Sequence, residues 1–160
     1  MSTETFRNER KFTFNASDLS MIHFYVKNSL GFFREVYHPR YINSIYFDDS
    51  LFSSLQESFD GTRNRIKYRV RWYGDLLGEI QKPILELKIK CGEAGRKEKY
   101  IISPFNMTKH TSGQQISKNT SDNIMPSLLK LQIKRLTPVI LVRYLRHYYR
   151  SRDNNAIFTI

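Results

Sequence analysis

Residues 65–73 read Arg65-Ile66-Lys67-Tyr68-Arg69-Val70-Arg71-Trp72-Tyr73, and their alternation decides the fold. In an extended chain successive side chains point to opposite faces, so Arg65, Lys67, Arg69 and Arg71 share one side. Ile66, Tyr68, Val70 and Trp72 share the other. At about 3.3 Å per residue the four cations make a row roughly 20 Å long. Like charges at this spacing repel, which costs stability unless an anion or carboxylates lie opposite. Taken alone, the segment reads equally well as an antiparallel strand with a solvated basic face.

Its neighbours repeat the pattern. Ile84 to Lys90 and Arg96 to Ile102 flank Cys91-Gly92-Glu93-Ala94-Gly95 and read as a hairpin with a glycine-bearing loop. Glu86, Lys88 and Lys90 share a face opposite Leu85, Leu87 and Ile89; Lys97 and Lys99 share a face with Ile101. Thr5 to Phe14 reads as a strand with Arg7, Glu9, Lys11 and Thr13 on one side and Phe6, Phe12 and Phe14 on the other. Tyr41 to Phe47, Val139 to Arg150 and Ala156 to Ile160 read as further strands. A helix is expected from about Ser17, with Ser17 as N-cap and a stripe of Leu19, Ile22, Val26 and Leu30 ended by Gly31. Residues 51–59 have helical spacing, Leu128 to Leu136 looks like a short helix, and Ser103 to Asn123 reads as a polar loop. The fold class is α+β: antiparallel strands with a few flanking helices, in one domain over 160 residues.

Twenty-six Lys and Arg stand against 15 Asp and Glu, a formal charge of +11. That balance favours a polyanionic partner without choosing among nucleic acid, anionic lipid and polyphosphate. The single cysteine, Cys91, excludes an internal disulfide, and the four histidines have no zinc-ligand spacing. With no apolar signal core and no run long enough to span a bilayer, a cytoplasmic setting is expected. Between Arg63 and Lys99 there are 11 Lys or Arg and five Asp or Glu. If such a sheet closes, its charged side faces outward or lines the lumen. Glu9 beside Lys11 and Glu86 beside Lys88 read, pair by pair, as surface salt bridges. A site for a metal-chelated triphosphate also needs this mixture, with cations on phosphate oxygens and carboxylates on the metal. An RNA-binding sheet fits poorly, because Tyr68 and Trp72 lie opposite the arginine row.

Six stretches taken in order, RNERKFTF (Arg7 to Phe14), NSIYFDD (Asn43 to Asp49), RIKYRVRWYG (Arg65 to Gly74), LELKIK (Leu85 to Lys90), GRKEKY (Gly95 to Tyr100) and VRYLRHYY (Val142 to Tyr149), carry a resemblance over nearly the whole chain. The chain resembles the VTC domain, the catalytic domain of vacuolar transporter chaperone polyphosphate polymerases, within the wider CYTH-like triphosphate tunnel group. The resemblance implies an antiparallel barrel whose basic interior grips a chain of phosphates. It implies Lys11, Arg69, Arg71 and Lys88 at the reaction centre. Lys67, Lys97, Lys99 and Arg146 are implied as further phosphate ligands, with Arg143 ranked behind Arg146 because the family pattern is Tyr-x-Arg. Glu9 and Glu86 are implied as ligands of Mn²⁺ or Mg²⁺ or as holders of the lysines, and Tyr46 and Asp48 as interior supports. The implied reaction is transfer of the terminal phosphate of ATP to polyphosphate. A triphosphatase of the same group, or a non-catalytic polyphosphate or inositol-phosphate module, stays open. The family domain has further strands after the position of Ile160, so the implied barrel is incomplete at its C-terminus: either the chain is a fragment of the domain, or a second copy or a complementing segment finishes it. Association with a membrane-protein partner is expected on the same basis. From the face assignment, Arg69→Ala or Arg71→Ala is expected to leave the fold intact and to relieve repulsion.

Overall fold

A computed structural model describes residues 10–121 and 125–160. A 3-10 turn (Ala16–Asp18) leads into α1 (Leu19–Asn28), followed by β1 (Arg34–Asp48), α2 (Ser53–Phe59), β2 (Asn64–Tyr73), β3 (Gly78–Ile80), β4 (Ile84–Cys91) and β5 (Ala94–Ile101). Then come β6 (Phe105–Met107), α3 (Gly113–Ser121), α4 (Ser127–Lys134), β7 (Thr137–Arg150) and β8 (Ile157–Thr159). The class is α+β, as read from the sequence. By internal contacts the chain divides into two compact units, Pro39–Arg146 and Met1–His38 with His147–Ile160.

In the larger unit the strands are ordered β5-β4-β2-β1-β7, and β3 pairs with β6 in a sheet of its own. β1 with β2, β2 with β4 and β4 with β5 run antiparallel. The alternation of residues 65–73 is what builds this sheet. Val70 is 0% and Trp72 2% exposed, and they pack with Tyr68, Phe47, Leu85 and Leu87 in the core. Ile116 of α3 and Leu129 and Ile133 of α4 belong to the same cluster, so the apolar face of the strands has its helical partners. The β4–β5 turn carries Gly92 at φ 60°, in the left-handed region that glycine enters without steric cost, and leaves Cys91 exposed. β5 is an edge strand among the described residues.

The smaller unit holds α1, one end each of β1 and β7, and β8, which pairs antiparallel with β7 through Tyr148↔Thr159 to Arg150↔Ile157. His23 Nδ1 lies 2.7 Å from the Tyr149 hydroxyl, and its ring is 4.5 Å from that of His147. Burial, then the neighbouring His147, holds the His23 pKa below its ordinary value.

Five sequence expectations are corrected. Thr5 to Phe14 is not a strand over its described part, since Arg10 to Phe14 have no regular structure; residues 5–9 lie outside the described residues. Ser17 does not cap α1: it sits in the 3-10 turn with its hydroxyl 3.2 Å from Asp18 Oδ1. Of the expected apolar stripe only Val26 is buried, while Leu30 is 94% exposed. The polar stretch 103–123 holds β6 and α3, because Ile116 is buried and Thr120 satisfies itself internally by donating to the Ile116 carbonyl at 2.8 Å. β1 also starts earlier than expected and runs through Pro39. Its ladder with β2 spans Ile42 to Phe47, so Pro39 removes no donor from that pairing.

Candidate functional site

The face opposite the core collects the cations. Across β2 and β4 the register sets Arg65 against Lys90, Lys67 against Lys88 and Arg69 against Glu86. β5 adds Lys97 opposite Lys88 and Lys99 opposite Glu86, and β1 adds Tyr46 opposite Arg69 and Ser44 opposite Arg71. Seven residues named from the sequence, Lys67, Arg69, Arg71, Glu86, Lys88, Lys97 and Lys99, thus sit on one face of three adjacent strands.

Glu86 is the centre of this face. It is 3% exposed and meets two guanidinium groups. Arg69 donates Nε and Nη2 to Oε2 at 2.8 and 2.6 Å, and Arg71 Nη2 lies 2.7 Å from Oε1. A carboxylate buried without such partners would be costly, and with two it fixes both arginines. Arg69 also donates Nη1 to the Tyr46 hydroxyl at 3.1 Å. Burial works against its charge, but the bonds from Glu86 and Tyr46 outweigh that and hold its pKa above the ordinary value. Ser44 Oγ and Arg71 Nε are buried without a hydrogen-bond partner. Both can donate, so the face retains donors aimed at no acceptor of the described residues.

Charge is less balanced at the other end of the row. The Lys67 pKa is lowered, first by burial and then by the repulsion of Arg65 and Lys88. A cleft of about 290 Å³ opens there, lined by Arg65, Lys67, Lys88, Lys90 and the β4–β5 turn.

Two further site residues, Arg146 and Arg143, are carried by β7. Arg146 donates to the Tyr144 hydroxyl at 2.7 Å, on the same side of β7 as that tyrosine. Arg143, an odd number of residues away, points to the opposite side and stacks over the Tyr41 ring at 4.0 Å. Lys11 is exposed on the irregular segment before the 3-10 turn, within the smaller unit, and Glu9 lies outside the described residues. Tyr46 supports Arg69 directly. Asp48 is buried and serves α2: it accepts from the Asp49 and Ser54 amides at 2.9 Å each and from Leu55 at 3.0 Å. Arg40 was not anticipated. It stacks over the Tyr73 ring at 4.3 Å, with Arg71 on the same ring at 5.2 Å. Its even spacing from Ile42, Ser44 and Tyr46 carries the signal, hidden by Pro39 beside it.

Among the described residues no group of three His, Cys, Asp or Glu is placed to hold a metal, and both oxygens of Glu86 lie against arginines.

A row of cations on adjacent antiparallel strands, with the motifs in this order, is what the comparison with known families bears on. The model of the VTC domain family matches residues 6–160. The chain belongs to the VTC domain family. That places it in the general kind of polyphosphate polymerase-like domains. No curated protein matches the chain. No helix among the described residues is long and apolar enough to cross a membrane.

Proposed function

We propose that the VTC domain described here binds a linear polyphosphate or nucleoside triphosphate on the face of β2, β4 and β5, and transfers the terminal phosphate of ATP to a polyphosphate chain. The observation that carries this reading is the dense row of cations that the register sets on one face of β2, β4 and β5. Phosphate oxygens accept hydrogen bonds and carry the opposite charge, so they answer such a row. In the reaction an oxygen of the chain end forms a bond to the γ-phosphorus while the β–γ bridging bond breaks, and ADP leaves with the electron pair. Arg69, Arg71 and Lys88 would hold the three phosphates in line and offset the charge that builds on the equatorial and leaving oxygens. Lys67, Lys97, Lys99 and Arg146 would hold the acceptor chain. A divalent ion, Mn²⁺ or Mg²⁺, would need carboxylates such as Glu9 outside the described residues, and no step is assigned to it.

One observation favours a second reading. Glu86 is spent on two arginines, which suits a non-catalytic polyphosphate or inositol-phosphate module that needs cations alone. The test is ADP formation from ATP with a polyphosphate primer, run beside calorimetric titration of tripolyphosphate. Binding with ADP release supports transfer; binding without it supports the module; free phosphate in place of chain growth supports a triphosphatase. No binding overturns the whole reading.

A further inference from the structure

α2 is amphipathic with its faces reversed. Leu51, Phe52, Leu55 and Phe59 share one stripe by helical spacing, and a surface helix ordinarily turns such a stripe to the core. Here it points to solvent: Leu51 is 82% and Phe59 79% exposed, Phe52 and Leu55 are exposed as well, and none of the four belongs to the core cluster. The half-buried positions of the helix are polar, Ser53, Ser54, Glu57 and Ser58. Hydrogen bonds fasten it to the sheet. Ser54 donates Oγ to the Ile66 carbonyl of β2 at 3.2 Å, and the Asp48 carboxylate takes the Ser54 and Leu55 amides. Asp49 Oδ1 accepts from the Leu51 and Ser53 amides at 3.0 Å each and holds the entry turn. Phe52, in that turn, takes φ 55°, which costs a bulky residue steric energy, and its exposed ring recovers little of that by burial. The helix is held firmly, with its apolar side outward.

Charge selects what that side fits. Residues 42–62 hold four acids and no Lys, Arg or His, in a chain of formal charge +11. Glu57 lies on α2 and Asp60 at its end, and neither is ion-paired among the described residues. An anionic lipid surface is repelled by such acids, and helices that lie on membranes carry Lys and Arg in their place. A second α2 laid on the first would bring the same carboxylates together. A ridge with apolar side chains at i, i+4 and i+8 instead packs against the apolar face of another helix, and cations on that helix answer Glu57 and Asp60.

We infer that the stripe of Leu51, Phe52, Leu55 and Phe59 on α2 is a docking surface for a basic amphipathic helix of a partner protein. Leu55 and Phe59 are its anchors, and Glu57 and Asp60 set the sign of the partner. The surface uses no residue of the cationic face and needs no phosphate ligand.

The probe is a synthetic peptide of about 18 residues, long enough to be helical, with leucines along one face and lysines along the other. It carries a fluorophore and is titrated with the full chain by anisotropy. Two control peptides are run beside it, one scrambled so that its leucines share no face and one with glutamates for the lysines. The unsubstituted protein should bind the first peptide about tenfold or more tighter than either control. Leu55→Ser/Phe59→Ser should weaken it by about tenfold or more, the scale of interface anchors. That variant should keep the parent's melting temperature, because both side chains are exposed. Glu57→Gln/Asp60→Asn should weaken binding severalfold and flatten its salt dependence. Equal binding of either control peptide overturns the surface, and so does equal binding by Leu55→Ser/Phe59→Ser. A lowered melting temperature of that variant would make the stripe part of the fold's own packing and overturn it too. Sedimentation of the protein and the variant, alone and with phosphatidylcholine–phosphatidylserine vesicles, tests the other occupants. Self-association or vesicle binding that the variant loses would assign the stripe to a second copy or to a membrane and overturn the partner helix.

Discussion

Arg69 holds Glu86 through two nitrogens, Nε at 2.8 Å and Nη2 at 2.6 Å, and both reach the same carboxylate oxygen. The other oxygen is left to Arg71 at 2.7 Å. Arg69 and Arg71 are therefore set in place by a buried acid before any ligand arrives, which lowers the entropy cost of gripping a phosphate.

Glu86→Gln should destabilise the empty protein by about 2–4 kcal/mol, because it leaves two partly buried guanidinium groups without their counter-charge. Tripolyphosphate should then raise the melting temperature more in the variant than in the parent, since a ligand that binds only the native state stabilises it by mass action. Calorimetric melting with and without ligand checks both halves. An unchanged melting temperature would show that Glu86 is idle. The same geometry corrects the expectation that Arg69→Ala relieves repulsion. It removes half the cover of a carboxylate that is 3% exposed, so it should lower stability.

Val70→Asp should unfold the larger unit. Val70 is 0% exposed in the core, and an unpaired carboxylate there costs several kcal/mol, on the order of the whole stability of a domain. Loss of far-ultraviolet dichroism at room temperature is the expected readout. A folded variant would mean that the two faces of β2 had been exchanged.

Lys67 links binding to pH. Its folded-state pKa lies below the ordinary 10.5, so as pH falls the unfolded chain takes up this proton first. Folding loses stability as pH drops through the ordinary lysine value, and the penalty is complete below the folded-state pKa. A bound phosphate favours the charged form and reverses the shift. Titration of tripolyphosphate at about pH 9.5, below the ordinary lysine value, should show proton uptake when buffers of different ionisation enthalpy are compared. Lys67→Met should lose that uptake. Equal uptake in both proteins would assign it elsewhere.

Asp48→Ala should cost about 1–3 kcal/mol, since the N–H groups of Ser54 and Leu55 at the start of α2, and of Asp49 before it, lose their acceptor. Hydrogen exchange should quicken at Ser54 and Leu55 while Val70 stays protected. Uniform quickening would mean that the carboxylate supports the whole sheet instead.

How much was legible follows from which signals are local. The strand of Arg65 to Tyr73 and its two faces were readable because the period-two pattern is carried by nine successive residues. The hairpin of Leu85 to Tyr100 was readable for the same reason, with Gly92 marking its turn. What pairs with what was not. That Glu86 meets Arg69 and Arg71, with Lys88 left opposite Lys67, depends on register, which a one-residue slip would reverse. α3 escaped because its buried Thr120 and Ser121 look like loop residues until their hydroxyls are seen bonded to backbone carbonyls. His23 and His147 stand far apart in sequence, and only β7 folding beside α1 brings their rings to 4.5 Å.

β5 has a consequence beyond binding. It forms one edge of the sheet among the described residues, and an edge offers unpaired backbone groups to any strand that approaches. Lys97 and Lys99 stand on it beside Ile101, which is 83% exposed. Their charges keep two such edges apart as surely as they attract an anion. A polyanion that neutralises them therefore also lifts the barrier to self-association, and so would acetylation. Colloidal behaviour and ligand occupancy are tied through the same two ammonium groups: a saturated protein should crowd where an empty one stays dispersed.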